Sequence, residues 1–79
     1  VNAHAPSAAV ISACRTADAV NLVLALQTLT EAEQLLRGRR SNLEERLRHE
    51  ALHQAAKSMA EALLRHNNIN PEIMWRAFL

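Results

Sequence analysis

The chain has 79 residues, and its nine Lys and Arg against eight Asp and Glu give a formal net charge of +1, which excludes neither a protein partner nor an acidic one. A domain this small seldom buries a self-sufficient core without disulfides, metal, very regular helix packing or a second subunit, and the single cysteine, Cys14, excludes an intrachain disulfide. Hydrophobic residues are 49% of the chain, with fifteen Ala and twelve Leu against one Gly, one Phe, one Trp and no Tyr, a composition that points to an all-α bundle and away from a sheet, which needs more β-branched and aromatic residues.

The longest apolar runs, residues 8–11 and 22–26, fall far short of the roughly twenty residues of a membrane span. No Lys or Arg precedes Arg15, which argues against a secretory signal and for a cytoplasmic chain with a reduced thiol and no membrane partner. Arg supplies eight of the nine basic residues. Together with the Ala excess, that bias fits the codon usage of a GC-rich bacterial or phage genome.

One helical domain is expected over residues 1–79. Residues 1–6 read as a loose end, and Ser7 is a competent helix cap. No Gly or Pro interrupts Ala8 to Arg37, so residues 7–37 form either one helix or two that meet near residues 15–18, where Thr16 and Asp18 offer capping oxygens. A kink or break there is the favoured reading. Leu22, Ala25, Leu26, Leu29, Ala32 and Leu36 recur at helical spacing, while Val20, Val23 and Leu24 fall off that stripe, so this segment needs more than one neighbour. Gly38 predicts a left-handed C-cap between the arginines of a tight turn.

A long helix is predicted over residues 41–66, capped by Ser41 with Glu44 three residues on. Leu52, Ala55, Ala56, Met59 and Leu63 share its expected dry face, and Leu43 and Leu47 project the opposite way. Asn67 or Asn68 can take the αL conformation that ends it. Asn70, Pro71 and Glu72 then restart the chain as a short helix over 71–78 that holds both aromatics. The expected architecture is an antiparallel long-helix hairpin with a short C-terminal helix, completed as a dimeric bundle.

Three surfaces carry the functional expectations. Leu43, Leu47, Met74, Trp75 and Phe78 form the candidate protein interface, because aromatic and apolar anchors dominate binding energy. Residues 37–66 carry seven basic residues against four acidic ones, so Arg37, Arg39, Arg40, Arg46 and Arg48 make the hairpin tip a candidate nucleic-acid contact, weighed against plain helix-end charge paired locally with Glu44 and Glu45. The third is His49-Glu50-Ala51-Leu52-His53, which matches the H-E-x-x-H pattern of zinc proteases: histidines four apart on a helix can share a zinc, with the glutamate as base.

The resemblance covers only those five residues. A metzincin would need Gly at position 56 and His at position 59, where this chain has Ala56 and Met59, and Glu72 is the one carboxylate at a thermolysin-like spacing. The plainer reading makes His49 and His53 side chains at the edge of the apolar face. No nucleophile elbow or Gly-rich phosphate loop is present, and Cys14 reads as a small packed side chain. The sequence therefore predicts a non-enzymatic protein without cofactor. It acts by binding itself and another protein as a regulator, inhibitor or accessory subunit, with a nucleic-acid regulator and a helical zinc protein as alternatives.

Overall fold

The computed structural model describes the backbone of residues 5–38 and 42–78 and the side chains of 8–38 and 42–76. Four helices follow one another: α1 (Ala5–Ser12), α2 (Thr16–Arg37), α3 (Leu43–His66) and α4 (Pro71–Phe78). Among the described residues there is no strand, and no helix is long and apolar enough to cross a membrane. Of the loose end expected at residues 1–6, residues 1–4 lie outside the described residues, as does the Ser41 cap, while Ala5 and Pro6 are not loose but already belong to α1. Ser7 falls inside α1, two residues past its first, so the chain enters this helix earlier than a Ser7 cap implies.

Between α1 and α2 the chain breaks at Ala13–Arg15. The Ala13 amide is shared between the carbonyls of Ala9 and Val10, and the Cys14 amide reaches Ile11 O, so the last turn tightens before it stops. Ser12 Oγ donates to Ala8 O at 2.9 Å. Arg15 then turns extended, with φ −58° and ψ 148°, and starts α2 without any side-chain cap of its own. Its amide is taken instead by Asn67 Oδ1, fifty-two residues on, at 2.9 Å.

The tip differs from the sequence expectation in two respects. Gly38 is extended, at φ −66° and ψ 139°, and not left-handed; its amide closes onto Leu35 O. The α3 cap is Asn42, whose side-chain oxygen accepts from the Glu45 amide at 2.8 Å. Asn caps as well as Ser does, so the capping register moves by one and the acid at the third position is Glu45, not Glu44.

The end of α3 follows the expected chemistry closely. Asn68 takes φ 60°, and the amides of Asn68 and Ile69 bond to Arg65 O and Leu64 O, the paired bonds of a Schellman ending. Asn70 caps α4 through Glu72 N–H···Oδ1 at 3.0 Å, with Pro71 in the first helical position.

The two long helices lie antiparallel and form the frame. From α2 come the buried Leu22, Ala25, Leu26, Leu29 and Ala32, five of the six residues of the predicted stripe; from α3 come Ala56, Ala60 and Leu64. The dry face of α3 is thus rotated from the one expected: Leu52 and Met59 are exposed and Ala60 is fully buried. Alanines in the middle of α3 let the helices approach closely there, where the leucines of α2 fill the seam, and Leu64 adds its own bulk towards the open end. Met74, fully buried, completes the core from α4, with Val10, Ile11, Cys14, Leu63, Ile69 and Trp75 packed partly against it.

Ala60→Leu should overpack this seam and destabilise the chain by about 1–3 kcal/mol. Urea melts would show it as a lower midpoint at unchanged slope. An unmoved midpoint would mean that the helices are not held at alanine distance.

Candidate functional site

The structure distributes the predicted site residues over two regions of the hairpin. At the tip, Arg37, Arg46 and Arg48 are exposed, as are Leu43 and Leu47. Arg39 and Arg40 lie outside the described residues. Arg48 donates to Glu44 Oε1 at 2.6 Å one turn back, so part of the basic charge is paired along its own helix, the local arrangement weighed against a phosphate site. Such an exposed pair contributes only a few tenths of a kcal/mol.

Leu43 and Leu47 are among the most exposed large apolar residues of the chain. Both leave the seam by the same flank of α3, since four residues separate them on the helix. The aromatic end behaves differently. Met74 was expected at a partner surface and is instead core, because α4 lies with this side chain inward against the hairpin. Trp75 is half-buried, and its indole N–H donates to Glu61 Oε2 at 2.9 Å, which fixes α4 against α3. Ile73 is the large apolar side chain of α4 left exposed among the described residues; the side chain of Phe78 lies outside them.

His49 and His53 sit on the seam side of α3, two turns and one turn before Ala56. His53 Nε2 lies 3.4 Å from Glu33 Oε1 of α2, an inter-helix contact, while His49 Nδ1 is buried without a hydrogen-bond partner. Glu72 stands on α4, beyond the other end of α3, and faces Arg76 at 3.8 Å. Seventeen residues of helix, about 25 Å at the usual rise, separate His49 from His66 where α3 ends. The structure does not bring this carboxylate to the histidines, and among the described residues no three His, Cys, Asp or Glu side chains are grouped to hold a metal ion.

A polar cluster that sequence reasoning missed closes the open end of the hairpin. Asp18 Oδ2 accepts from Asn67 Nδ2 at 2.8 Å and lies 2.7 Å from His66 Nδ1. The same Asn67 amide also donates to Leu63 O, and its oxygen receives the Arg15 amide. One side chain therefore ties the α1–α2 break to the last turn of α3. The sequence signal was the pairing of a capping-type Asp with an Asn-Asn helix end, but nothing in the spacing placed them together. The hydrogen bonds from His66 and Asn67, aided by the charges of His66 and Arg15, hold the Asp18 carboxyl below its ordinary range. Nearby, burial first and the Asp18 charge second push the Cys14 thiol up, which suits a packed side chain and not a nucleophile.

No family model matches the chain, and no curated protein or solved structure shows significant similarity to it. The remaining notable surface feature is a groove of about 640 Å³ between α1 and α2, lined by Ile11, Val23, Leu26, Gln27, Thr30, Glu31 and Gln34. It mixes apolar walls with amides, a hydroxyl and one carboxylate, and no titratable pair converges in it.

The pH dependence follows from Asp18. Its carboxyl is held low in the folded chain, so its stabilising contribution is present above the unfolded carboxylate pKa of about 4 and is lost as pH falls through the lower folded value. Asp18→Asn should remove that contribution and flatten the acid side of the stability profile, as read by urea melts between neutral and acid pH. Equal acid sensitivity in both proteins would show that the cluster does not favour the ionised form.

Proposed function

We propose that this protein is a small helical binding module, a regulator, inhibitor or accessory subunit that works by packing apolar side chains against itself and another protein. The observation that carries the reading is the outward placement of Val20, Leu24, Leu35, Leu43, Leu47, Leu52, Met59 and Ile73. Single exposed leucines are ordinary; eight large apolar residues on a chain of 79 leave more surface uncovered than a chain of this size can shield by itself. A bacterial or phage accessory protein of the cytoplasm fits the composition.

A second reading uses the tip. Arg37, Arg46 and Arg48 are exposed there, and Arg39 and Arg40 adjoin them in sequence, so a nucleic-acid phosphate contact is the alternative class. Phosphate binding of that kind weakens steeply with salt, whereas apolar docking does not. The salt dependence of retention separates the two.

Leu43→Glu with Leu47→Glu should leave the thermal melt within about 0.5 kcal/mol of the parent, as expected for exposed positions, while abolishing stoichiometric capture of a partner protein from lysate of the source cell. Salt-sensitive retention of DNA or RNA that persists in this double variant, with no protein captured by the parent, would replace the reading with the nucleic-acid one.

A further inference from the structure

We propose that one broad side of the α2–α3 hairpin is a self-complementary interface, on which a second copy of this chain packs with its tip pointing the opposite way. The inference rests on the binding-module reading and names the partner and the surface.

Antiparallel helices wind in opposite senses when viewed from one end, so the flanks of α2 and α3 that precede the seam in rotation face the same way. At 3.6 residues per turn, that side carries Leu24, Thr28 and Leu35 of α2 and Leu52, Ala55 and Met59 of α3. The four large residues are 54%, 45%, 41% and 57% exposed in the order Leu24, Leu35, Leu52, Met59. Little charge stands on it. Glu50, Lys57 and Glu61 turn to the other side, where Glu61 meets Trp75 of α4 and Val23 meets α1 across the groove; on this side Glu31 shares the stripe of Leu24, Thr28 and Leu35, and Arg48, paired with Glu44, stands one turn before Leu52 at the tip end. In a chain with 22% charged residues, a side of the hairpin whose middle carries four exposed large apolar residues and a single charge, Glu31, is a surface suited to being covered.

The arrangement of the apolar residues selects the occupant. Leu24 and Leu35 are three turns apart, with their midpoint between Leu29 and Thr30. Leu52 and Met59 are two turns apart, with their midpoint between Ala55 and Ala56. These midpoints are level across the hairpin, because Asp18 meets His66 at one end and Glu33 meets His53 further along. A twofold axis that crosses both helices at this level places Leu24 over the second copy's Leu35 and Leu52 over its Met59, with the small Thr28 and Ala55 at the centre where the layers approach most closely. Both pairs close in the same register, the condition for an isologous interface.

Area and charge agree. The 22 residues of α2 span about 33 Å, and two helices side by side are about 20 Å wide, so the side offers on the order of 700 Å², close to the roughly 800 Å² per partner of a stable complex. The crossing axis also sends the two Arg-rich tips to opposite ends, whereas a twofold parallel to the helices would set Arg37, Arg46 and Arg48 of both copies side by side.

The test uses the full chain with Cys14→Ser. Ala55→Cys should form a disulfide between copies under mild oxidation, because the twofold passes beside that residue. Ala62→Cys, on the same side but about 20 Å from its own symmetry mate, should stay reduced. Met59→Glu should raise the dimer dissociation constant by about 30-fold or more, as expected for a central interface position, with helix content retained. A chain that stays monomeric at micromolar concentration overturns the proposal. So does a dimer that Leu47→Glu disperses while Ala55→Cys stays reduced: association then uses the tip, and the binding-module reading survives. Loss of lysate partners alongside Ala55→Cys cross-linking would instead remove the second protein and keep the interface.

Discussion

The close contact of α2 with α3 along Ala56 and Ala60 sets the rest of this structure. Helices can meet at alanine distance only where both surfaces are shallow or one supplies the bulk, and opposite Ala56 and Ala60 it is Leu26 and Leu29 of α2 that supply it. Apart from Leu64 at the open end, the larger side chains of α3 are then displaced to its flanks, because the seam beside Ala56 and Ala60 has no room for them. Leu43 and Leu47 emerge on one flank, Leu52 and Met59 towards the other, and Leu24 and Leu35 of α2 join the second pair. What makes the hairpin compact is also what leaves apolar surface outside it, so the step from packing to function is short.

The ends of the hairpin are fixed by polar groups whose cost of burial is met by hydrogen bonding. Asn67 holds Arg15, Asp18 and Leu63 together at the open end, where the α1–α2 break would otherwise leave α2 without a cap. Asn68 supplies the left-handed residue that turns the chain back, and α4 returns to dock through Met74 and through the Trp75–Glu61 hydrogen bond. With α1 and α4 meeting on one side of the frame, the other side is left open along its length. The asymmetry of the fold, not any single residue, defines the surface available to a partner.

Much of the fold was legible because its local signals are strong. The α2 stripe of leucines, the Asn-Asn ending of α3 and the Asn-Pro-Glu start of α4 each combine period with capping chemistry, and each lies where it was expected. The buried face of α3 was misread because hydropathy ranks Leu52 and Met59 above Ala56 and Ala60, whereas the seam selects for size. Met74 was misplaced for a related reason: an eight-residue helix that is apolar on most sides does not reveal which side docks. At the tip, Ser41 and Asn42 are both competent caps that differ by little energy, so the register of the cap was not determined by residue type. The Asp18–His66–Asn67 cluster joins residues about fifty apart, and no periodicity encodes such a contact. The histidine pair gave the opposite lesson, since its spacing is right for zinc while its setting is an inter-helix seam facing Glu33.

The central claim is that the apolar surface displaced from the seam is covered by another chain. Calorimetric melting of the isolated protein at about 5 µM and about 500 µM tests it most directly, because dissociation linked to unfolding makes the midpoint depend on concentration. The account predicts a midpoint several degrees higher at the higher concentration, with a single cooperative transition. A midpoint that does not move between the two concentrations, from a chain that sediments as a monomer at both, would contradict it.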